Sequence, residues 1–177
     1  MRRTIFNQDH EAYRETVREF LAREVIPYYE EWEDARLIDR AAWLAAGKVG
    51  ITGLAVPEEF GGPGESDYRY RYVVAEEIAR TGTTSFGAGL GTQDDIIIPY
   101  ICDLGTEEQK QRWLPGMAGG ELICAIAMTE PGTGSDLQGI KTTAVRDGDH
   151  WVLNGQKTFI TNGIHADLVI VAARTDP

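Results

Sequence analysis

Apolar residues recur every three or four positions from Tyr13 through Val17, Phe20, Leu21 and Val25, while Arg14, Glu15, Arg18, Glu19 and Arg23 occupy the other faces. That period predicts a helix with one side turned to a core, starting near Asn7 or Asp9, either of which can accept a first-turn N–H. Pro27 has no N–H and crowds the carbonyl four residues back, so it should kink or end the helix. Tyr28, Tyr29 and Trp32 extend an aromatic face that should pack against another helix. A shorter helix fits Asp39 to Ala46, capped by Asp39 and stopped by Gly47 in the left-handed conformation. Gly50 to Gly64 holds Pro57, Pro63 and glycines at 50, 53, 61, 62 and 64, which argues against a regular element, although Leu54-Ala55-Val56 can pack down.

Ser66 or Asp67 can cap a third helix carrying Tyr70, Val73, Val74 and Ile78 and ending near Gly82. Thr84 to Ile101 is long and apolar enough for a buried helix, made irregular by Gly87, Gly89, Gly91 and Pro99. Thr106-Glu107-Glu108-Gln109 has the form of a capping box, and the helix it starts should run through Trp113 and Leu114 and stop at Pro115-Gly116. After Gly119-Gly120 the period changes. Leu122 to Met128 reads as a buried strand, and Asp147-Gly148-Asp149 as a hairpin turn between Lys141–Arg146 and His150–Leu153. Phe159-Ile160-Thr161 and Leu168 to Ala172 are two more candidate strands, separated by an Asn162-Gly163 turn. The expected class is α+β: an all-α domain over residues 1–120, then an incomplete β-barrel or sandwich over 121–177. So few strands leave an open edge, so either more chain follows or another surface covers the sheet.

Charge narrows the function. With 17 Lys plus Arg against 28 Asp plus Glu, the net charge of -11 speaks against a nucleic-acid surface. A phosphate-bearing cofactor stays admissible, because backbone N–H groups and a few local cations can hold one. Cys102 and Cys124 form no C-x-x-C pair and suit buried thiols, and His10, His150 and His165 are too scattered for a metal site. Met1-Arg2-Arg3 leads into no long apolar stretch, so the expectation is a soluble cytoplasmic protein without a signal or membrane span.

The segment with the most chemistry is Ala127-Met128-Thr129-Glu130-Pro131-Gly132-Thr133-Gly134-Ser135-Asp136, a strand running into a turn rich in hydroxyls and backbone amides. It lacks the Gly-Lys-Ser/Thr ending of a P-loop and the third glycine of a dinucleotide fingerprint. From the residues alone an ordinary polar turn remains open. Met128 to Asp136, however, resembles the signature of the acyl-CoA dehydrogenase family, and Ala127 to Thr142 is especially similar to its long-chain-type members. Phe159-Ile160-Thr161-Asn162-Gly163, preceded by Leu153-Asn154-Gly155-Gln156-Lys157, resembles the family's second flavin-contacting segment. Val56 to Gly62 and Gly105 to Lys110 are similar to its N-terminal helical domain.

The resemblance implies FAD as cofactor, cradled by Ile126, Ala127, Met128, Thr129, Gly134 and Ser135, with Ser135 also near the pantetheine arm of the substrate. It implies that Thr129 meets the flavin pyrimidine edge, that Phe159 and Ile160 pack at the ring and that the Thr161 hydroxyl approaches N5. The reaction would convert an acyl-CoA thioester to the trans-2-enoyl-CoA and pass electrons to an electron-transfer flavoprotein, in a homodimer or homotetramer. The catalytic glutamate of the family lies in a C-terminal four-helix domain absent from this sequence, so no catalytic residue is expected here and the segment alone should be inactive. Glu130 and Asp136 should instead fix the turn. An acyl-CoA oxidase-like flavoenzyme and a non-enzymatic interaction module on a degenerate scaffold are the alternatives, and acyl-chain length stays open.

Overall fold

A computed structural model describes residues 4–175, so the expectation at Met1-Arg2-Arg3 lies outside the described residues. The chain divides after Ile123 into two compact units. The first is helical. Helix α1 spans Gln8–Phe20, and Asn7 caps it by accepting from His10 N at 3.0 Å while the His10 ring accepts from Asn7 N. A π-helical turn at Leu21–Val25 and a 3-10 turn at Ile26–Tyr28 absorb Pro27, so the proline breaks the regular bonding and the chain re-forms a helix, α2, over Tyr29–Ala35. Of the aromatic face, Trp32 is buried, whereas Tyr28 is half exposed and stacks on it.

Helix α3 covers Arg40–Lys48 and starts on the Asp39 carboxylate, which accepts from Ala41 N at 2.8 Å. The expectation that Gly47 stops this helix is corrected. Gly47 lies inside it, and the left-handed residue is Gly50 at φ 67°. A Cβ at Gly47 would stand 2.2 Å from the Gly119 carbonyl carbon, so the glycine is there for close backbone approach. Helix α4 spans Arg69–Thr81 and ends on left-handed Gly82; Asp67, not Ser66, accepts its first N–H, from Arg69. The apolar stretch forms α5 at Thr84–Gly91, a π-helical segment at Thr92–Ile97 and α6 at Ile98–Leu104.

Helix α7, Glu107–Ala118, has both bonds of its capping box, Thr106 to Gln109 and back. It does not stop at Pro115-Gly116 as expected. Pro115 and Gln111 are both exposed, so the carbonyl that the proline cannot serve meets water, while burial of Met117 and Ala118 carries the helix one turn further. The core of this unit gathers Phe20, Leu21, Trp43, Val73, Phe86 and Leu90, with Phe86 edge-on to Trp43.

A charged cluster joins buried Arg71 and Asp94 to exposed Asp95. Asp94, on the π-helical segment, accepts from Gly53 N at 2.6 Å and lies 3.6 Å from Arg71, whose guanidinium is held by both oxygens of Asp95 at 3.0 Å. Burial lifts the Asp94 carboxyl from 3.8 to about 6, against the pull of Arg71 and the bond from Gly53, with Asp95 adding to the lift. Its folded pKa is thus above its unfolded one. Between about pH 4 and pH 6 the unfolded chain releases a proton that the folded chain keeps, and stability falls as pH rises through that window. An Asp94→Asn variant should lose most of that slope in urea midpoints taken from pH 4 to pH 7; an unchanged slope would contradict the assignment.

The second unit is built on strands. β1 (Cys124–Ala127) pairs in parallel with β4 (Leu168–Val171), and β2 (Thr143–Asp147) pairs antiparallel with β3 (His150–Asn154). The hairpin closes at Asp147↔His150 with Gly148 at φ 60°, as its Asp-Gly signal predicts. These are two separate two-stranded sheets, with no closed barrel among the described residues. The strand expected over Leu122–Met128 is limited to four residues. Phe159-Ile160-Thr161 is not a strand. It forms a bend and the start of a turn, with Phe159 at φ 56° and Asn162 at φ 64°. Cys124 is buried and Cys102 half-buried.

Candidate functional site

β1 delivers the chain to the site. Its ladder ends where Ala172 N donates to Ala127 O at 3.0 Å, and Met128 then leaves the sheet. From there the chain is held by Lys157 and Thr158. Thr158 N donates to Thr129 O at 3.0 Å, and the Thr129 hydroxyl donates to Thr158 O. Lys157 Nζ donates to Met128 O at 2.8 Å and to Glu130 Oε1 at 2.9 Å. The turn that follows closes on itself through the reciprocal backbone bonds of Glu130 and Thr133.

Glu130 is the hub of this arrangement. Its carboxylate accepts from Lys141 N at 2.7 Å and Thr142 N at 2.9 Å as well as from Lys157. The Thr142 side chain, the two amides and the Lys157 ammonium hold its carboxyl down at about 2, against the opposing effect of burial. A carboxylate so committed is a poor proton acceptor and a good anchor.

The sequence-derived site residues fall into two groups. Ile126 and Ala127 lie in β1, Met128 and Thr129 lie in the clamp, and Phe159, Ile160 and Thr161 follow directly from Thr158, so the clamp brings these together. Gly134 and Ser135 lie on the exposed part of the loop, and no hydrogen bond joins them to residues 157–161. Phe159 is 99% exposed although its backbone is left-handed, a conformation that costs a non-glycine residue about 1 kcal/mol. Thr161 is exposed too. Thr129 N–H meets no acceptor among the described residues, and the buried Thr158 hydroxyl meets no partner. An exposed aromatic face and an unspent amide suit a flat ligand with polar edges.

Sequence reasoning assigned no role to Lys157 and Thr158. The signal was available in part, because a buried carboxylate at Glu130 needs a cation and Lys157 sits in the second motif. Among the described residues no cluster of His, Cys, Asp and Glu could hold a metal, and no helix is long and apolar enough to cross a membrane.

The profile described as "Acyl-CoA dehydrogenase, N-terminal domain" matches residues 7–121, and that described as "Acyl-CoA dehydrogenase, middle domain" matches 125–177. The chain belongs to the acyl-CoA dehydrogenase family. It is 49% identical to the mitochondrial long-chain specific acyl-CoA dehydrogenase of Rattus norvegicus, over 98% of this chain and 40% of that protein. An acyl-CoA dehydrogenase crystal structure from Geobacillus kaustophilus matches with a TM-score of 0.93 and 50% identity, over 98% of this chain and 45% of that one. A glutaryl-CoA dehydrogenase from Mycobacterium smegmatis, solved in complex with FADH2, matches with a TM-score of 0.88 and 32% identity, over 97% of this chain and 44% of that one. The chain therefore spans less than half the length of these three relatives. The expectation of a cytoplasmic protein is corrected, since the rat relative is mitochondrial. That expectation rested on the lack of an apolar leader, and the body of a folded domain does not encode its address.

Proposed function

We propose that this chain supplies part of the flavin site of an FAD-dependent acyl-CoA dehydrogenase that converts an acyl-CoA thioester to the trans-2-enoyl-CoA. The observation that carries the proposal is the Thr129–Thr158 clamp, which sets the first motif beside Phe159 and Thr161. Bound FAD supplies the hydride acceptor at its N5. The chain's own part is binding and orientation. Phe159, unpacked and turned out by its backbone, offers a face to the isoalloxazine; Thr161 offers a hydroxyl that can donate or accept at N5. The Thr129 hydroxyl is already engaged, so its backbone N–H is the donor for the pyrimidine edge. Ser135 and Gly134, out on the exposed loop, would serve the diphosphate and the pantetheine arm.

Glu130 is excluded as the proton-abstracting base by its three donors and its depressed pKa. The proposed base lies outside these 177 residues, and an electron-transfer flavoprotein is the proposed electron acceptor. A homodimer or homotetramer is the proposed assembly.

Phe159→Ala and Thr161→Ala in the complete enzyme test the assignment separately. Phe159→Ala should weaken FAD retention by about tenfold, a stacked ring being worth about 1 kcal/mol or more. Thr161→Ala should slow anaerobic flavin reduction by acyl-CoA more than it weakens retention. Wild-type retention and reduction in both variants would count against the proposal.

A further inference from the structure

The two ends of one peptide group at the site have different partners. The carbonyl of Met128 accepts Lys157 Nζ at 2.8 Å, and the N–H of that same peptide, on Thr129, meets no acceptor among the described residues. The other polar groups of Thr129 are spent on Thr158, its carbonyl accepting from N–H and its hydroxyl donating to the carbonyl. The Lys157 side chain is 10% exposed and its partner Glu130 6%, so the ammonium acts on the carbonyl where water screens little. Glu130 balances the charge at 2.9 Å from the ammonium, which also sits directly on the Met128 oxygen at 2.8 Å.

A cation on an amide oxygen draws electron density through the conjugated C–N bond, which makes the N–H at the far end a stronger donor. We infer that Lys157 is a positioning and tuning residue, polarising the Met128–Thr129 peptide so that its N–H binds an electron-rich ligand edge more strongly than an ordinary amide would. The inference rests on the flavin reading in one respect, the identity of that ligand. A stronger donor at the pyrimidine edge favours the reduced, more electron-rich FAD over the oxidised one. Lys157 thus reaches the cofactor through a peptide bond without touching it. Its link to Glu130 makes the two motifs one electrostatic unit.

The test is Lys157→Met in the complete protein, with Lys157→Arg as the charge-conserving control. In flavin-free protein the Thr129 amide proton resonance should move upfield in Lys157→Met and stay near the wild-type position in Lys157→Arg. In loaded protein the preference for reduced over oxidised FAD should fall about tenfold in Lys157→Met, equivalent to a potential about 30 mV more negative for a two-electron couple. Equal weakening of both FAD forms with an unmoved Thr129 resonance would reduce Lys157 to a structural clamp and overturn the inference. If Lys157→Met does not fold, Glu130→Gln removes the counter-charge and should move the same resonance downfield; an unmoved resonance there also overturns it. The flavin-free measurement stands even where no FAD binds, so its failure is distinguishable from failure of the flavin reading.

Discussion

Glu130→Ala should cost the complete enzyme its FAD, with binding weaker by at least about tenfold and a colourless protein on purification. The carboxylate is the common acceptor for Lys141 N, Thr142 N and Lys157 Nζ. Removing it leaves two orphaned amides and a nearly buried ammonium without its counter-charge, and the segment carrying Thr129 loses its register with Thr158. The neighbouring acid behaves differently. Asp136 is exposed and its carboxylate accepts from Gln138 N at 3.1 Å, with no further side-chain bond among the described residues, so Asp136→Ala should hold FAD within about twofold of wild type. Equal FAD retention in Glu130→Ala and wild type would remove the hub from the account.

The second large effect is on stability. Trp43 is fully buried against Phe86, and the carbonyl of Trp43 lies only 2.0 Å from where a Cβ on Gly120 would stand, so the region has no slack. Trp43→Ala should destabilise the protein by about 3–5 kcal/mol in denaturant unfolding. Trp151, on the hairpin, is 59% exposed, and Trp151→Ala should stay within about 0.5 kcal/mol. Similar losses in both would contradict the burial described for them.

What the sequence made legible was local. Asn7, Asp39, Thr106 and Gly82 mark helix ends because a cap is decided within three or four residues, and Asp147-Gly148 marks its hairpin for the same reason. Gly47 misled because its cause lies 72 residues away, at Gly119. Pro115 misled because solvent on one side and burial of Met117 on the other decide whether a proline ends a helix. Phe159-Ile160 has the composition of a strand, yet the tie of Thr158 to Thr129, 29 residues earlier, comes just before a bend instead. The motif residues were readable through their family resemblance; the commitment of the Thr129 hydroxyl and the reach of Lys157 to Met128 were not, since both depend on pairing across that same interval.

Amide hydrogen exchange of the complete protein, with and without saturating FAD, tests the central claim most directly. The account predicts that added FAD slows exchange in residues 128–135 and in residues 158–161 together, with Thr129 N–H, unpaired in its absence, among the largest changes. Protection confined to one of the two segments, or found in neither, would contradict it.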